Sequence, residues 1–337
     1  MSSAARRAID APSYALSGWV EAAALVCAIG ALSVTYAIGH TFGAHPIAFI
    51  LYAMLASALA TLAFTGFGTS ALAIMLDPLS WIVGLAIILI EVFYFLTLTY
   101  VPPAHGNLVL RIGIPLAMVS GWALFGRRPP ALSIAGGVAI IAATAFVVHV
   151  TSSDVRWPMA VSGVLAAAFM VVRGFASEFH PWNRAARTVR EKLRVTGIVV
   201  LVTSFMSLTL VALAAVAIAV GVIPRIRFVP TVTDMLHVPT ILLGCLAGGA
   251  ILTLMMYLNF SSTVKITTES LTAMMAFSPV TTWAFQELAV ALGLIAVNRP
   301  GPQLIAAMFV LVVSVLLIFW ADQRARHIRR GNAARTG

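Results

Sequence analysis

The chain is built from long apolar blocks, such as Trp19 to His40, Pro46 to Gly66 and Val195 to Val222, separated by short clusters of proline, glycine and charge. Blocks of ~20 residues are what an α-helix needs to cross ~30 Å of hydrocarbon at about 1.5 Å per residue. With no water to satisfy the backbone there, only helices or a closed barrel span a membrane. Barrel strands alternate apolar and polar residues, which runs such as Ile141 to Val150 do not. Of the 337 residues 61% are hydrophobic and 9% charged, against roughly 25% charge in a soluble domain. The fold class expected is an all-α polytopic membrane protein with about ten transmembrane helices.

The spans expected are Trp19 to His40, Pro46 to Gly66, Leu79 to Tyr100, Gly106 to Phe125, Leu132 to Val150, Pro158 to Ser177, Val195 to Val222, Thr240 to Phe260, Thr268 to Ala296 and Pro302 to Trp320. Breaks fall where Pro ends a helix and charge prefers the interface, as at Val101-Pro102-Pro103 and Gly126-Arg127-Arg128-Pro129-Pro130. Gly68 to Pro78 is ambiguous, and Thr268 to Ala296 is long enough to be tilted or broken. Arg6 and Arg7 precede an apolar stretch too long for a signal peptide and followed by further spans, so an uncleaved first helix is expected.

With the N-terminus cytoplasmic, sixteen Lys and Arg residues fall on the cytoplasmic side. Four lie opposite (Arg156, Arg225, Arg227 and Arg299), and Arg111 lies inside a span. That bias places both termini in the cytoplasm, in the inner membrane of the cell. Residues 1–177 hold spans one to six, 178–195 form a basic cytoplasmic loop, 196–320 hold spans seven to ten, and 321–337 form a basic tail. The loop, with Arg184, Arg187, Arg190 and Lys192, reads as a topology determinant at the headgroups or as an anionic-lipid contact. The same distribution accounts for the net charge of +10 without nucleic acid. Cys27 and Cys245 lie inside apolar blocks, and neither a disulfide nor a metal site is expected.

Five spans on each side of the loop suggest duplication, and an odd number inverts the second copy. Arg111-Ile-Gly-Ile-Pro115 in the fourth span and Met275-Ala-Phe-Ser-Pro279 in the ninth both place a proline mid-helix. Each is followed by a Gly/Pro/Arg break and a final apolar span. On the run from Thr97 to Val148 and its counterpart from Ser262 to Phe319, the chain resembles the ten-span EamA-type branch of the drug/metabolite transporter superfamily. Arg127 departs from the pattern, standing where that family often has Glu. The resemblance implies two inverted five-helix repeats and a carrier of small polar metabolites, often by export, through a path between the halves.

Ionisable groups at membrane depth cost roughly 2.5–3.5 kcal/mol each on insertion scales, which singles out three. Glu91 lies near the middle of the third span, with Tyr94 and Phe95 at i+3 and i+4 on one face. It would bind a cationic substrate group or a coupling proton, or else be a buried structural carboxylate. Arg111 lies near the outer end of the fourth span, opposite a Gly113, Ala117, Gly121 stripe suited to helix packing. It would hold an anionic group such as a carboxylate, or snorkel to the interface. Glu287, one turn after Trp283, would pair with Arg111 as an outer gate, or face the headgroups. Pro115 and Pro279 are candidate hinges, and Trp283 joins the candidate binding residues. Asn107 and His149, near span ends, read as solvated; Tyr257, Asn259, Glu269 and Glu21 are weaker candidates.

An enzyme is not expected: carboxylates are scattered singly, and no His-Glu-x-x-His, paired-Asp or phosphate-loop motif occurs. No cofactor is implied, and proton coupling stays open at Glu91. The expected function is secondary transport, as an exporter, of an amino acid or related zwitterion by alternating access. The alternative is a lipid or lipid-headgroup flippase. The partners are the bilayer and a small-molecule substrate, with a homodimer also compatible.

Overall fold

In a computed structural model of the chain, residues 12–226, 228–266, 271, 274–296 and 301–336 are described. They contain helices and no strand. We label the crossing segments α1 Pro12–Thr41, α2 Pro46–Thr65, α3 Pro78–Tyr100, α4a Pro103–Leu110, α4b Gly113–Phe125, α5 Ala131–Val150, α6 Ser153–Phe179 and α7 Val189–Ala219. The segment α8 runs from Val238–Leu242 through a π-helical stretch, Leu243–Gly248, into Gly249–Lys265; α9 is Ser278–Ala291 and α10 is Pro302–Thr336. Arg6, Arg7, Arg227, Thr268, Glu269, Asn298 and Arg299 lie outside the described residues, as do the side chains of Arg326, Arg329, Arg330 and Arg335.

Among the described residues nine helices are long and apolar enough to cross a membrane. The expected ninth span is the exception, because its helix α9 has only 14 residues. The described ends of that stretch lie at opposite ends of α1. Lys265, at the end of α8, forms an ion pair with Glu21 near the start of α1. Leu294, just after α9, accepts a hydrogen bond from Thr41 at the end of α1. Lys265 and Leu294 are therefore separated along the bundle about as Glu21 and Thr41 are along α1, ~30 Å by helix rise. Phe64 at 78% and Phe309 at 70% exposure illustrate the apolar outer surface that lipid covers. The protein is an all-α polytopic membrane protein.

Local chemistry sets the boundaries. Pro46, Pro78, Pro103 and Pro302 open α2, α3, α4a and α10, in the first turn where a missing N–H costs nothing. Gly126 ends α4b at φ 63°, its N–H donating to the Trp122 carbonyl and that of Arg127 to Gly121. Thr188 and Glu191 form a capping box, so α7 begins at Val189 rather than Val195 and takes up part of the expected basic loop. The ambiguous Gly68 to Pro78 stretch is a connector, with a short helix Ala71–Leu76 anchored by buried Ile74.

The helix pairings obey an exchange rule. α1 packs on α8 and α9, while α6 packs on α3 and α4; α2 packs on α7, α5 on α10 and α4a on α9. Exchanging α1–α5 with α6–α10 leaves this set of pairs unchanged, as two inverted five-helix repeats require. Lipid offers no hydrophobic drive for helix association, so these seams rely on close packing of small residues. A Cβ on Gly30 of α1 would stand 2.9 Å from the Thr282 backbone nitrogen of α9. One on Gly244 of α8 would meet the Phe49 carbonyl of α2 at 3.0 Å, and one on Gly136 of α5 the Ser314 carbonyl of α10 at 2.9 Å.

Backbone cannot retreat as a side chain can, so Gly30→Leu should destabilise the protein by about 1–3 kcal/mol. Gly174, with nothing within 4 Å, serves as control: Gly174→Leu should leave the thermal midpoint in detergent unchanged. Equal midpoints for the two variants would contradict a tight α1–α9 seam.

Candidate functional site

Two prolines create the site by breaking repeat-related helices. Pro115 has no N–H to offer the Arg111 carbonyl, which instead accepts from Ile114 at 3.0 Å. The Arg111 N–H donates to Leu108 at 3.0 Å and the Ile112 N–H to Val109 at 3.2 Å, three-residue bonds that tighten the chain and end α4a. Pro279 sits in the first turn of α9, after a turn closed by the Phe277 N–H on the Met274 carbonyl at 3.0 Å. Arg111 follows Pro103 by about 12 Å of helix, near the middle of the ~30 Å slab.

The two breaks touch. Arg111, 5% exposed, donates from Nη2 to Asn107 Oδ1 at 2.9 Å and to Ser278 Oγ at 2.7 Å, and from Nε to the Asn107 carbonyl at 3.4 Å. Ser278 Oγ donates to Asn107 Oδ1 at 2.9 Å. Asn107 Nδ2 donates to Thr282 Oγ1 at 2.7 Å and Ser33 Oγ at 3.0 Å. Tyr94 donates its hydroxyl to Ser33 at 2.8 Å. Asn107, Ser33, Ser278 and Thr282 have no solvent exposure, so α1, α3, α4a and α9 are joined by one sealed polar network.

Glu91 extends that network along α3. Its Oε2 accepts the Tyr36 hydroxyl of α1 at 2.6 Å. Tyr36 and Tyr94 each reach back toward their own helix N-terminus, as long side chains on helices do. The Tyr36 ring stacks on Phe95 at 5.1 Å and meets the edge of Phe49 at 5.7 Å. Glu91 is half-buried and interacts electrostatically with Arg173 of α6, itself half-buried.

Several expectations change. Because α4a starts at Pro103, Arg111 lies deeper than the outer boundary, beside Ser278 at the opposite end of α9 from Glu287, about 13 Å away along the helix. Glu287 instead accepts the Trp283 indole N–H at 3.0 Å, so the Arg111–Glu287 pair is not formed. Phe95 belongs to the hydrophobic core that walls Tyr36. Trp283 packs on the cluster containing Val101, Ala104 and Leu108, away from the network. Asn107 is the network's hub rather than a solvated end group, because α4a starts at Pro103. Arg173, counted at the cytoplasmic boundary, lies inside α6. His149 and Tyr257 are exposed.

Sequence reasoning missed Ser33, Tyr36, Arg173, Ser278, Thr282 and Gln286. A signal existed for three of them. Ser278, Thr282 and Gln286 recur every four residues, a polar stripe down one face of α9.

A cavity of about 270 Å³ lies at the end of the bundle opposite Glu21, lined by residues that include His40, Thr41, Tyr100, Pro103, Gln286 and Ala296. Gln286, on its lining, accepts the Ala104 N–H through Oε1 at 3.4 Å. Thr282 of the network lies one turn below Gln286, about 6 Å further in. At the other face, the Lys265–Glu21 ion pair joins α8 to α1, and Arg127 with Glu178 ties the end of α4b to α6.

No family model and no curated protein matches the sequence. A solved structure described as "Crystal structure of protein" is similar over 90% of this chain and 96% of its own, with TM-score 0.54 and 18% identity. At that identity the likeness shows a shared fold and carries nothing about substrate.

The network is testable apart from any activity. Asn107→Leu strands the partners of both its amide atoms, and each buried group left unpaired costs about 1–3 kcal/mol. The variant should lose several degrees of thermal midpoint in detergent, whereas His149→Leu at an exposed position should not. A silent Asn107→Leu would contradict the hub.

Proposed function

We propose that this protein is a secondary transporter of the ten-span EamA type in the drug/metabolite transporter superfamily, and that it exports a small polar metabolite bearing a carboxylate, the class that includes amino acids and related zwitterions. The observation that carries this reading is the meeting of two proline-broken, repeat-related helices through Arg111, Asn107 and Ser278 near mid-membrane. Inverted-repeat carriers bind substrate where discontinuous helices meet at that depth. Ionisable groups kept there at a cost of a few kcal/mol favour a working site over packing alone.

Arg111 would receive the carboxylate, with Tyr94 and the Asn107 network fixing its fork. Glu91, held by Tyr36, is the second ionisable group and would serve a cationic moiety or a coupling proton. Access from the cavity would part α4a from α9 at the Gln286–Ala104 contact, and Pro115 and Pro279 lie where such a hinge would act. Closure of the opposite face falls to Lys265–Glu21, replacing the Arg111–Glu287 gate in the mechanism. We place the protein in the inner membrane with both termini cytoplasmic, no resident cofactor and no enzymatic step.

In proteoliposomes, Arg111→Ala and Glu91→Gln should each lower transport at least tenfold while keeping a monodisperse elution profile. Near-normal flux in both would sink the site. For orientation, single cysteines at Arg128 and Ser153, both exposed, can be placed in a chain lacking Cys27 and Cys245. Impermeant maleimide on intact cells should label only Ser153→Cys; labelling of Arg128→Cys instead would invert the topology.

A further inference from the structure

Resting on the transporter reading, we infer that the substrate is a net anion, a small carboxylate without a compensating ammonium, and that its carboxylate supplies the counter-charge that no described residue gives Arg111. Among the described residues the acceptors of the Arg111 guanidinium are neutral: the side-chain and main-chain oxygens of Asn107 and the Ser278 hydroxyl. The ion pairs among the described residues, Arg127–Glu178 and Lys265–Glu21, lie at the cytoplasmic face and leave Arg111 out. Glu287 is held by Trp283 about 13 Å further along α9.

Glu91 is in the opposite condition. Its Oε2 accepts the Tyr36 hydroxyl at 2.6 Å, and Arg173 of α6 stands within electrostatic reach of it, so the protein already offers Glu91 a donor and a nearby cation. Taken together, Glu91, Arg173 and Arg111 leave one positive charge over. A zwitterion would satisfy Arg111 but bring an ammonium that meets no carboxylate beside Arg111 among the described residues. A net anion closes the balance.

The donor geometry agrees. A guanidinium has five N–H donors; Nε and Nη2 are engaged by Asn107 and Ser278, and among the described residues Nη1 has no protein acceptor. Those N–H groups can take a carboxylate in charge-assisted bonds, roughly twice as strong as neutral ones. The neutral network holds Arg111 in place without competing for its charge. Its hub cannot rotate away, because Asn107 Nδ2 is tied to Thr282 and Ser33.

The test uses the full chain, purified in detergent, in thermal-shift titrations with matched sets of one skeleton from two to six carbons. Each set has the carboxylate, the 2-amino acid and the amine, for example propionate, alanine and 1-propylamine, with chloride and inorganic phosphate alongside. Carboxylates should bind at least tenfold more tightly than their amino-acid and amine partners and than chloride. Arg111→Lys, which keeps the charge and loses the fork, should weaken carboxylate binding at least tenfold; it remains informative if Arg111→Gln fails to fold. Amino acids binding as tightly as carboxylates, and crossing proteoliposomes, would overturn the net-anion assignment and leave the transporter reading intact. Equal binding of chloride, or wild-type affinity in Arg111→Lys, would overturn it as well. If no member of any set binds or crosses the membrane, both readings fail.

Discussion

Hydrocarbon supplies no water to a stranded polar group, and the centre of this protein is arranged around that constraint at Asn107. Its amide oxygen receives Arg111 and Ser278, and its nitrogen donates to Thr282 and Ser33. Through those bonds one side chain on a short half-helix binds the first helix and the ninth, and through Ser33 also the third. Buried networks of this kind are costly when half-satisfied and specifying when complete. The amide is fully used, so the register of α4a against α1 and α9 follows from it.

Around that hub, geometry rather than hydrophobicity holds the bundle together. Gly30 admits the backbone of α9, Gly244 that of α2, and Gly136 that of α10. Each such approach lies on a seam between the two halves. Pro115 and Pro279 then interrupt the two helices that meet at the centre, freeing polar backbone and side chains where a continuous helix would have buried only apolar ones. The same arrangement explains the asymmetry of the ends. One face carries a cavity that Gln286 lines, while the other carries charged pairs between helices.

The carboxylate and the guanidinium singled out by their depth have different surroundings. Glu91 is supported by a tyrosine and faced by a cation from the sixth helix. Among the described residues Arg111 is supported by neutral groups. That contrast turns a general reading of small-metabolite transport into a statement about charge.

Much was legible in the residues alone. Apolar block length dictated helices and their approximate number, since backbone hydrogen bonding in lipid admits little else. The paired prolines pointed to the fourth and ninth spans, and Glu91 and Arg111 stood out because charge is expensive there. What the tertiary structure decided is who meets whom. Asn107 looked like an end group because the start of α4a could not be located from composition, and a three-residue shift of that start moves it a full turn inward. Phe95 shares a face with Glu91 on an isolated helix, yet packing against Tyr36 and Phe49 commits it to the core. Arg173 counted toward topology until α6 was laid beside α3. Helical periodicity fixes which residues share a face; the partner that face meets depends on crossing depth and register, and those arise only when the two halves pack.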